Sequence, residues 1–548
     1  MTTTPPDKPA QDHTEMAGAL AGAIRVVFSF TLLSRFAGLA REILTARVLG
    51  DTLVGSSFAA AFLIPNLFRR LFGEGALTAA FLPEYTRLSK DDPELSRRLA
   101  SLVIALLTLV TGTLTLLIAG FLTLTLAGGW APAEAELSIR LTILMIPMMP
   151  MVCITAILGG MLQSHGKFGP PAAAPLLLNA FMIAAAASHF LRQDASAEGT
   201  AYVVAGAALG ASVAQIIWSL VSLRPHVRWT GVFAGVGKAG RTVLSRFIPV
   251  VIGLGALQLS TVVDQVIAMW PTWVGPTMFG QPVPLDEASN SILSAASRFY
   301  QFPLGVFGLA VATAVFPLLN RTAGDPDAFV AMLRRGIRLS LVVGVPASVG
   351  LVLVADDLTR VMLSGGEHAF SDEGTRRAAW VLVGFAPAVW AYSLNNVVTR
   401  AFYAKGDTGT PMRVSLAAVT MAVGLNFTLI WWFREAGLAW ATSISATMQC
   451  VVLMVLFARR HGPIIDPATL RGAANILVCS GVMAALLLGL RATLPTPEAW
   501  SGHALRLGLM VPAGGIAFLV AAMVLRLPEL RWLVQRAPKG GAGAYLAE

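Results

Sequence analysis

Charge is scarce in this chain. Only 13% of its 548 residues are Asp, Glu, Lys or Arg, against 55% hydrophobic residues. Soluble domains carry roughly twice that charged fraction. An ordinary soluble protein is excluded, and no polar stretch is long enough for a separate soluble domain. Acids are the scarcer sign: 30 Asp and Glu face 40 Lys and Arg, a net charge of +10. The basic residues fall in short loops between apolar runs, a pattern of membrane topology and not of a nucleic-acid footprint. The three cysteines, Cys153, Cys450 and Cys479, lie far apart in apolar runs, so neither a disulfide framework nor a zinc site is expected from them. The seven histidines form no HExxH or HxxxH pair. A membrane enzyme would need acids, histidines or a metal set clustered at a membrane face, and the sequence shows no such set.

What the chain has in abundance is apolar runs. A spanning helix needs about 20 largely apolar residues. Cutting at polar and Pro/Gly breaks gives about fourteen candidate spans: 22–49, 54–85, 97–127, 137–163, 170–192, 200–223, 242–271, 287–319, 329–355, 376–404, 411–433, 437–458, 470–491 and 504–526. The fold class is therefore an all-α integral membrane protein. Lys and Arg alternate between loops. They are dense after the second, sixth and twelfth spans and in the tail, and absent from Gly128 to Glu136 and from Pro271 to Glu287. Both termini are expected in the cytoplasm. One loop dissents, with Arg360, Arg376 and Arg377 on the expected outer side beside five acids. The polar stretch from Met1 to Met16 looks like a disordered cytoplasmic leader, taken to residue 21, and the run after it like a retained helix rather than a signal peptide.

The chain also repeats itself. Ser164 to Pro171 reads SHGKFGPP and Ala404 to Pro411 reads AKGDTGTP, with Gly166, Gly169 and Pro171 matching Gly406, Gly409 and Pro411. Thr78 to Phe81 reads TAAF and Thr313 to Phe316 reads TAVF, each followed within two residues by Pro83 or Pro317. The two shifts are nearly equal and move the pattern by six helices, so the halves share one orientation about an axis along the membrane normal. The expected organisation is an N-lobe at 22–223, a linker at 224–241, a C-lobe at 242–458, two further helices at 470–526 and a cytoplasmic tail at 527–548.

Four arginines stand where lipid would be, at Arg35, Arg41, Arg69 and Arg70, with only Glu42 and Glu74 nearby as counter-charges. A charge at mid-membrane costs at least ~2.5–3.5 kcal/mol, so it faces a cavity or a partner. Arg35 lies about ten residues into the first span, roughly 15 Å deep. Either it pairs with Glu42, seven residues along, or it meets an anionic cargo. Arg41 lies about 120° around the helix from Arg35. Arg70 and Glu74 have the i, i+4 spacing of a neutralising pair, whereas Arg69 has no carboxylate at that spacing. Pro65, Asn66 and the Gly73-Glu74-Gly75 break permit local bending where backbone lines a cavity.

Several stretches resemble one family: SRFAGLAREILTARVLG from Ser34, FLIPNLFRRLFGEGALTAAFLPEY from Phe62, SRFYQFPLGVFGLAVATAVFPLL from Ser297 and TRAFYAKGDTGTP from Thr399. They resemble the MurJ/MviN family of lipid II flippases, within the multidrug/oligosaccharidyl-lipid/polysaccharide exporter superfamily. The resemblance implies fourteen helices, two six-helix lobes in a V around a central cavity, and two C-terminal helices forming a lipid-tail groove. It implies a cargo, lipid II, a polyprenyl pyrophosphate bearing a disaccharide-pentapeptide, moved from the cytoplasmic to the outer leaflet of the bacterial inner membrane by alternating access. Arginine suits that head, because guanidinium stays ionised and pairs phosphate oxygens bidentately. The site residues implied are Arg35, Arg41, Arg69, Arg70 and Arg298, with Ser34, Glu42, Pro65, Asn66, Glu74 and Gln301 in support or gating. Two family acids are missing, replaced by Ser56 and Gln301. Some members hold sodium with an acid and an asparagine that fall at Asp264 and Asn426, but a further acid of that site is Ile430 here. The resemblance further implies a transporter and not an enzyme, no cofactor beyond a sodium ion or the membrane potential as driving force, membrane lipids and cell-wall synthesis proteins as partners, and a monomeric state. The alternative is an exporter of another polyprenyl-linked saccharide, or of small molecules, in the same superfamily.

Overall fold

The computed structural model describes residues 9–192, 195–497 and 499–534. Within these, the side chains of 9–28, 73–79, 249–254, 256, 257, 307, 309, 310, 531, 533 and 534 lie outside the described part. The architecture is all-α, as the apolar runs require. Helices α1 (Pro9–Leu49) and α2 (Leu53–Phe68) lead into a π-helical turn at Arg69–Ala76, then α3 (Leu77–Asp91) and α4 (Pro93–Ala127). α5 (Glu136–Met145), α6 (Met148–Ser164), α7 (Gly169–Ala187) and α8 (Ala197–Leu223) follow. α9 (Gly237–Ala268) and the short α10 (Trp270–Trp273) lead to a two-stranded hairpin, β1 (Thr277–Met278) and β2 (Gln281–Pro282). Its turn has positive φ at both central residues, 53° at Phe279 and 77° at Gly280, which matches the twist of the paired strands. Then come α11 (Ser289–Pro303), a second π segment at Leu304–Gly308, α12 (Leu309–Arg321), α13 (Pro326–Leu363) and α14 (Asp372–Ala404). α15 (Gly409–Phe433), α16 (Glu435–His461), α17 (Pro467–Thr493), α18 (Trp500–Val524) and α19 (Pro528–Val534) complete the chain.

Eleven helices among the described residues are long and apolar enough to cross a membrane. The other three expected spans, 22–49, 54–85 and 242–271, fall on α1, on α2 to α3 and on α9, which are helical but carry arginine in or beside their apolar runs. The described part of α1, from Pro9, includes residues of the stretch read as a leader, and the Ala-rich sequence there favours helix.

The chain forms two compact units: Met1–Thr45 with Ala61–Gly255, and Ala46–Ala60 with Ala256–Glu548. In the first, Phe81, Leu99, Leu158 and Met161 are at the centre of a core that joins α3, α4 and α6. In the second, Phe329, Phe402 and Phe457 join α13, α14 and α16, and Ile476, Met483, Met510 and Phe518 fasten α17 and α18 to α13. The segment from Ala46 to Ala60 belongs to the second unit because its polar groups are satisfied there. Ser291 Oγ donates to Gly50 O at 2.7 Å, Asn290 Nδ2 to Ser56 O at 2.9 Å, and Ser371 N to Asp51 Oδ1 at 2.8 Å.

The sequence repeat has a backbone counterpart. Gly166 and Gly406 both take positive φ, 73° and 79°. In each turn the next amide reaches back to the preceding helix, Lys167 N to Leu162 O at 2.8 Å and Asp407 N to Phe402 O at 3.0 Å. That is a Schellman closure, which needs the left-handed residue glycine supplies. The π segments recur as well, one before the helix with TAAF and one before the helix with TAVF.

α15 and α16 meet tightly: a Cβ on Gly437 would lie 2.5 Å from the carbonyl carbon and oxygen of Leu429. Gly437→Ala is therefore expected to destabilise the second unit by about 1–3 kcal/mol, because backbone yields less than a side chain. Thermal unfolding of the purified protein in detergent checks this; an unchanged midpoint would contradict the packing described.

Candidate functional site

Within the first unit, the arginines of α1 differ in how they are held. Arg41 is half-buried and extensively engaged. It pairs with Glu42, donates to Asn179 Oδ1 at 3.1 Å and lies over the Phe62 ring at 5.5 Å. Asn179, on α7, also donates from Nδ2 to the carbonyl of Ser34 at 3.0 Å. One amide thus joins α7 to two turns of α1, and the part of Ser34 that it uses is the backbone. Asn179 was not among the expected residues; its signal was a single amide inside the apolar run PLLLNAF. Glu42 pairs with its neighbour Arg41, not with Arg35. The guanidinium of Arg41 is long enough to fold back onto the adjacent carboxylate. Arg35 is half-buried, and no ion pair to it is present among the described residues.

The second arginine pair sits on the π turn. Pro65 is buried inside α2. One turn before Arg69, Asn66 Oδ1 accepts from its Nε at 3.2 Å and from its Nη2 at 3.0 Å. Arg69, which lacks a carboxylate at helical spacing, thus has an amide partner that fixes its plane. Arg70 is half-buried. The Glu74 side chain lies outside the described residues, and the π turn's i→i+5 bonding alters the register that would align the two in an α-helix.

In the second unit, Arg298 and Gln301 lie half-buried on α11, one turn before Pro303 and the second π segment. Ser56, where the family carries an acid, is fully buried, and its Oγ accepts from Ser291 N at 3.0 Å. A small hydroxyl satisfies this site without bringing a charge into it.

Asp264 and Asn426 are brought together. Asn426 Nδ2 donates to Asp264 Oδ1 at 2.6 Å, and Thr442 Oγ1 donates to Oδ2 at 3.4 Å. Asn426 Oδ1 is buried with no hydrogen-bond partner. A carboxylate, an orphaned amide oxygen and a hydroxyl form a donor set suited to a hard monovalent cation, which takes oxygen ligands. Ile430 is fully buried and apolar, so no further acid comes from that position. Thr442 was not anticipated from sequence. Asp407 serves as a cap: its Oδ1 accepts from Thr410 N at 2.9 Å at the start of α15, and Arg460 bonds its other oxygen at 2.6 Å.

The model of the lipid II flippase MurJ family matches residues 45–507. The chain belongs to the MurJ family. Relatives of this MurJ member include a probable lipid II flippase MurJ of Vibrio cholerae, 29% identical over 92% of this chain and 96% of that one. Another, from Rhizobium tropici, is 31% identical over 84% of each chain. Among solved structures, an inward-closed lipid II flippase MurJ matches with a TM-score of 0.75 at 22% identity, covering 93% of this chain and 99% of that one. An inward-facing multidrug MATE transporter matches with a TM-score of 0.62 at 14% identity, covering 81% and 98%. The structural likenesses establish the fold. As a MurJ member the chain is a multi-pass inner-membrane transporter and not an enzyme.

This MurJ member also carries an ion network that joins the ends of α14, α15 and α16 to the loop before α11. Arg377 donates to both oxygens of Asp286, at 2.8 and 2.9 Å, and to Glu435 Oε1 at 2.6 Å. Arg434 adds a 2.6 Å bond to Asp286 Oδ2. Burial alone would push the Asp286 carboxyl up, but the hydrogen bonds and charge of Arg377, with Ser289 and Arg434, outweigh it and hold the carboxyl below its usual range. A carboxyl depressed on folding contributes stability that is present above its unfolded value, about 3.9, and lost as pH falls through the lower folded value. Asp286→Asn should therefore lower the thermal midpoint most above about pH 4, with the difference shrinking toward pH 3. Arg377→Ala, which leaves buried Glu435 with only Arg434 at 3.8 Å, should cost about 3–5 kcal/mol. Melting curves of both variants across pH 3–7 test the pair, and a pH-independent Asp286→Asn effect would contradict the assignment.

Proposed function

We propose that this protein flips lipid II, the polyprenyl-pyrophosphate-linked peptidoglycan precursor, from the cytoplasmic to the outer leaflet by alternating access. The observation that carries this reading is the family match over residues 45–507, to which the intramembrane arginines add a chemical rationale. Arg35 is the primary cargo ligand. It is half-buried in an otherwise apolar helix, and Glu42, its expected partner, is taken by Arg41. Arg69 adds a second guanidinium whose plane is set by Asn66. Arg70 and Arg298 bring further positive charge. Arg41 acts mainly as the strut that joins α1 to α7.

In this cycle the arginines face the cytoplasm, bind the pyrophosphate with charge-assisted bidentate bonds, and then face the outer side, where the head leaves. The isoprenoid tail stays in lipid along α17 and α18. Lys and Arg in the loops favour both termini in the cytoplasm. A sodium ion at Asp264, Asn426 and Thr442 is the proposed coupling ion, supported by their convergent oxygens. The membrane potential, negative inside, would assist the return of the empty cationic site, at ~2.3 kcal/mol per charge per 100 mV. The MATE fold likeness supports a second reading, export of another polyprenyl-linked saccharide or of small molecules.

Cells depleted of their own lipid II flippase separate the readings. Rescue by this chain is expected, and failure to rescue favours the exporter. Arg35→Ala should abolish rescue and weaken binding of lipid II about 10- to 150-fold, the loss of hydrogen bonds to a charged group worth about 1.5–3 kcal/mol. Undiminished rescue by Arg35→Ala would overturn arginine capture. In proteoliposomes, flipping should change with an imposed potential, and indifference to it would remove the electrical return step.

A further inference from the structure

Away from the arginines and from Asp264, three metal-ligating side chains converge where the C-terminal end of α13 meets the N-terminal end of α18. One ligand atom each of Asp356, Asp357 and His503 lies within 4.8 Å of the others. Asp357 and His503 are buried, and Asp356 is half-exposed, which leaves a path for entry. His503 Nδ1 is 2.7 Å from Asp357 Oδ1.

We propose that Asp356, Asp357 and His503 bind one divalent transition cation of the zinc type. Imidazole with carboxylates is a donor set for such ions, and three protein ligands leave a position for water. Two arginines stand beside the acids and must be accounted for. Arg360 Nε donates to Asp356 Oδ1 at 3.3 Å, and Arg506 Nε faces Asp357 Oδ2 at 3.6 Å. Each faces one oxygen and leaves its carboxylate a second one. Outer-shell partners of ligating carboxylates orient them in the same way. Arg506 is more than nine-tenths buried and its Nε makes no hydrogen bond, so Asp357 Oδ2, 3.6 Å away, is held by charge alone and not by a hydrogen bond to that nitrogen.

A neutral imidazole ligates through Nδ1 with its hydrogen carried on Nε2, and the metal takes the position between that nitrogen and Asp357 Oδ1. The ion would then fasten the last two helices. Arg506 Nη2 holds the carbonyl of Arg491 at the end of α17, and Trp500 Nε1 holds Val361 O on α13, at 3.1 Å each.

The test uses the full chain in detergent, stripped with chelator, re-equilibrated with zinc and passed through a desalting column. About one bound zinc per chain is expected, with a higher thermal midpoint. His503→Ala and Asp357→Asn should lose the ion. The half-exposed Asp356→Asn, least disturbing to folding, should weaken it roughly tenfold or more. His165→Ala, which breaks the separate stacked pair of His165 and His226, should leave it unchanged. Absence of zinc on the folded wild-type chain overturns the site. So does zinc that survives both His503→Ala and Asp356→Asn, or that leaves with His165→Ala.

Discussion

A guanidinium or carboxylate inside hydrocarbon must be met by another polar group, and this constraint organises both units. In the first, Arg41 is met by Glu42 and Asn179, and the same asparagine reaches the Ser34 carbonyl, so α1 and α7 are joined where a charge had to be satisfied. In the second, Asp264 is met by Asn426 and Thr442, which joins α9 to α15 and α16. Arg377 gathers Asp286 and Glu435 at the helix ends. The polar contacts determine which helices neighbour each other; the apolar cores, rich in Leu, Met and Phe, then fill the remaining space.

The backbone meets the same constraint by another route. Buried prolines and π turns free carbonyl and amide groups that a straight α-helix would consume. Both π segments lie close to arginines, Arg69 and Arg70 in one half and Arg298 in the other. A helix bent there can offer main-chain groups and guanidinium to the same ligand.

Much of this was legible in the residues. Apolar run length located the spanning helices, the glycine turns marked the repeat, and misplaced arginines marked the candidate site. Partner choice was not legible. Helical spacing put Glu42 beneath Arg35, but a flexible side chain on the adjacent residue reached it first. Asn66, expected as a bending signal and in a support or gating role, is the partner of Arg69. Asn179 and Thr442 went unnoticed because a lone amide or hydroxyl in an apolar run gains meaning only from what folds against it. The allegiance of Ala46–Ala60 to the second unit rests on hydrogen bonds to residues hundreds of positions away, such as Ser371 and Asn290, which no local pattern records.

The two glycine turns carry one more consequence. Their backbone angles and their six-to-one closures agree, while the side chains around them do not. His165 stands where Lys405 does, and Lys167 where Asp407 does; one turn reaches Tyr85 through an imidazole, the other Ala323 O through an ammonium. The corner is therefore set by the glycine backbone and not by the side chains around it. Each turn can take its own fastening, and its own charge, without moving the bend.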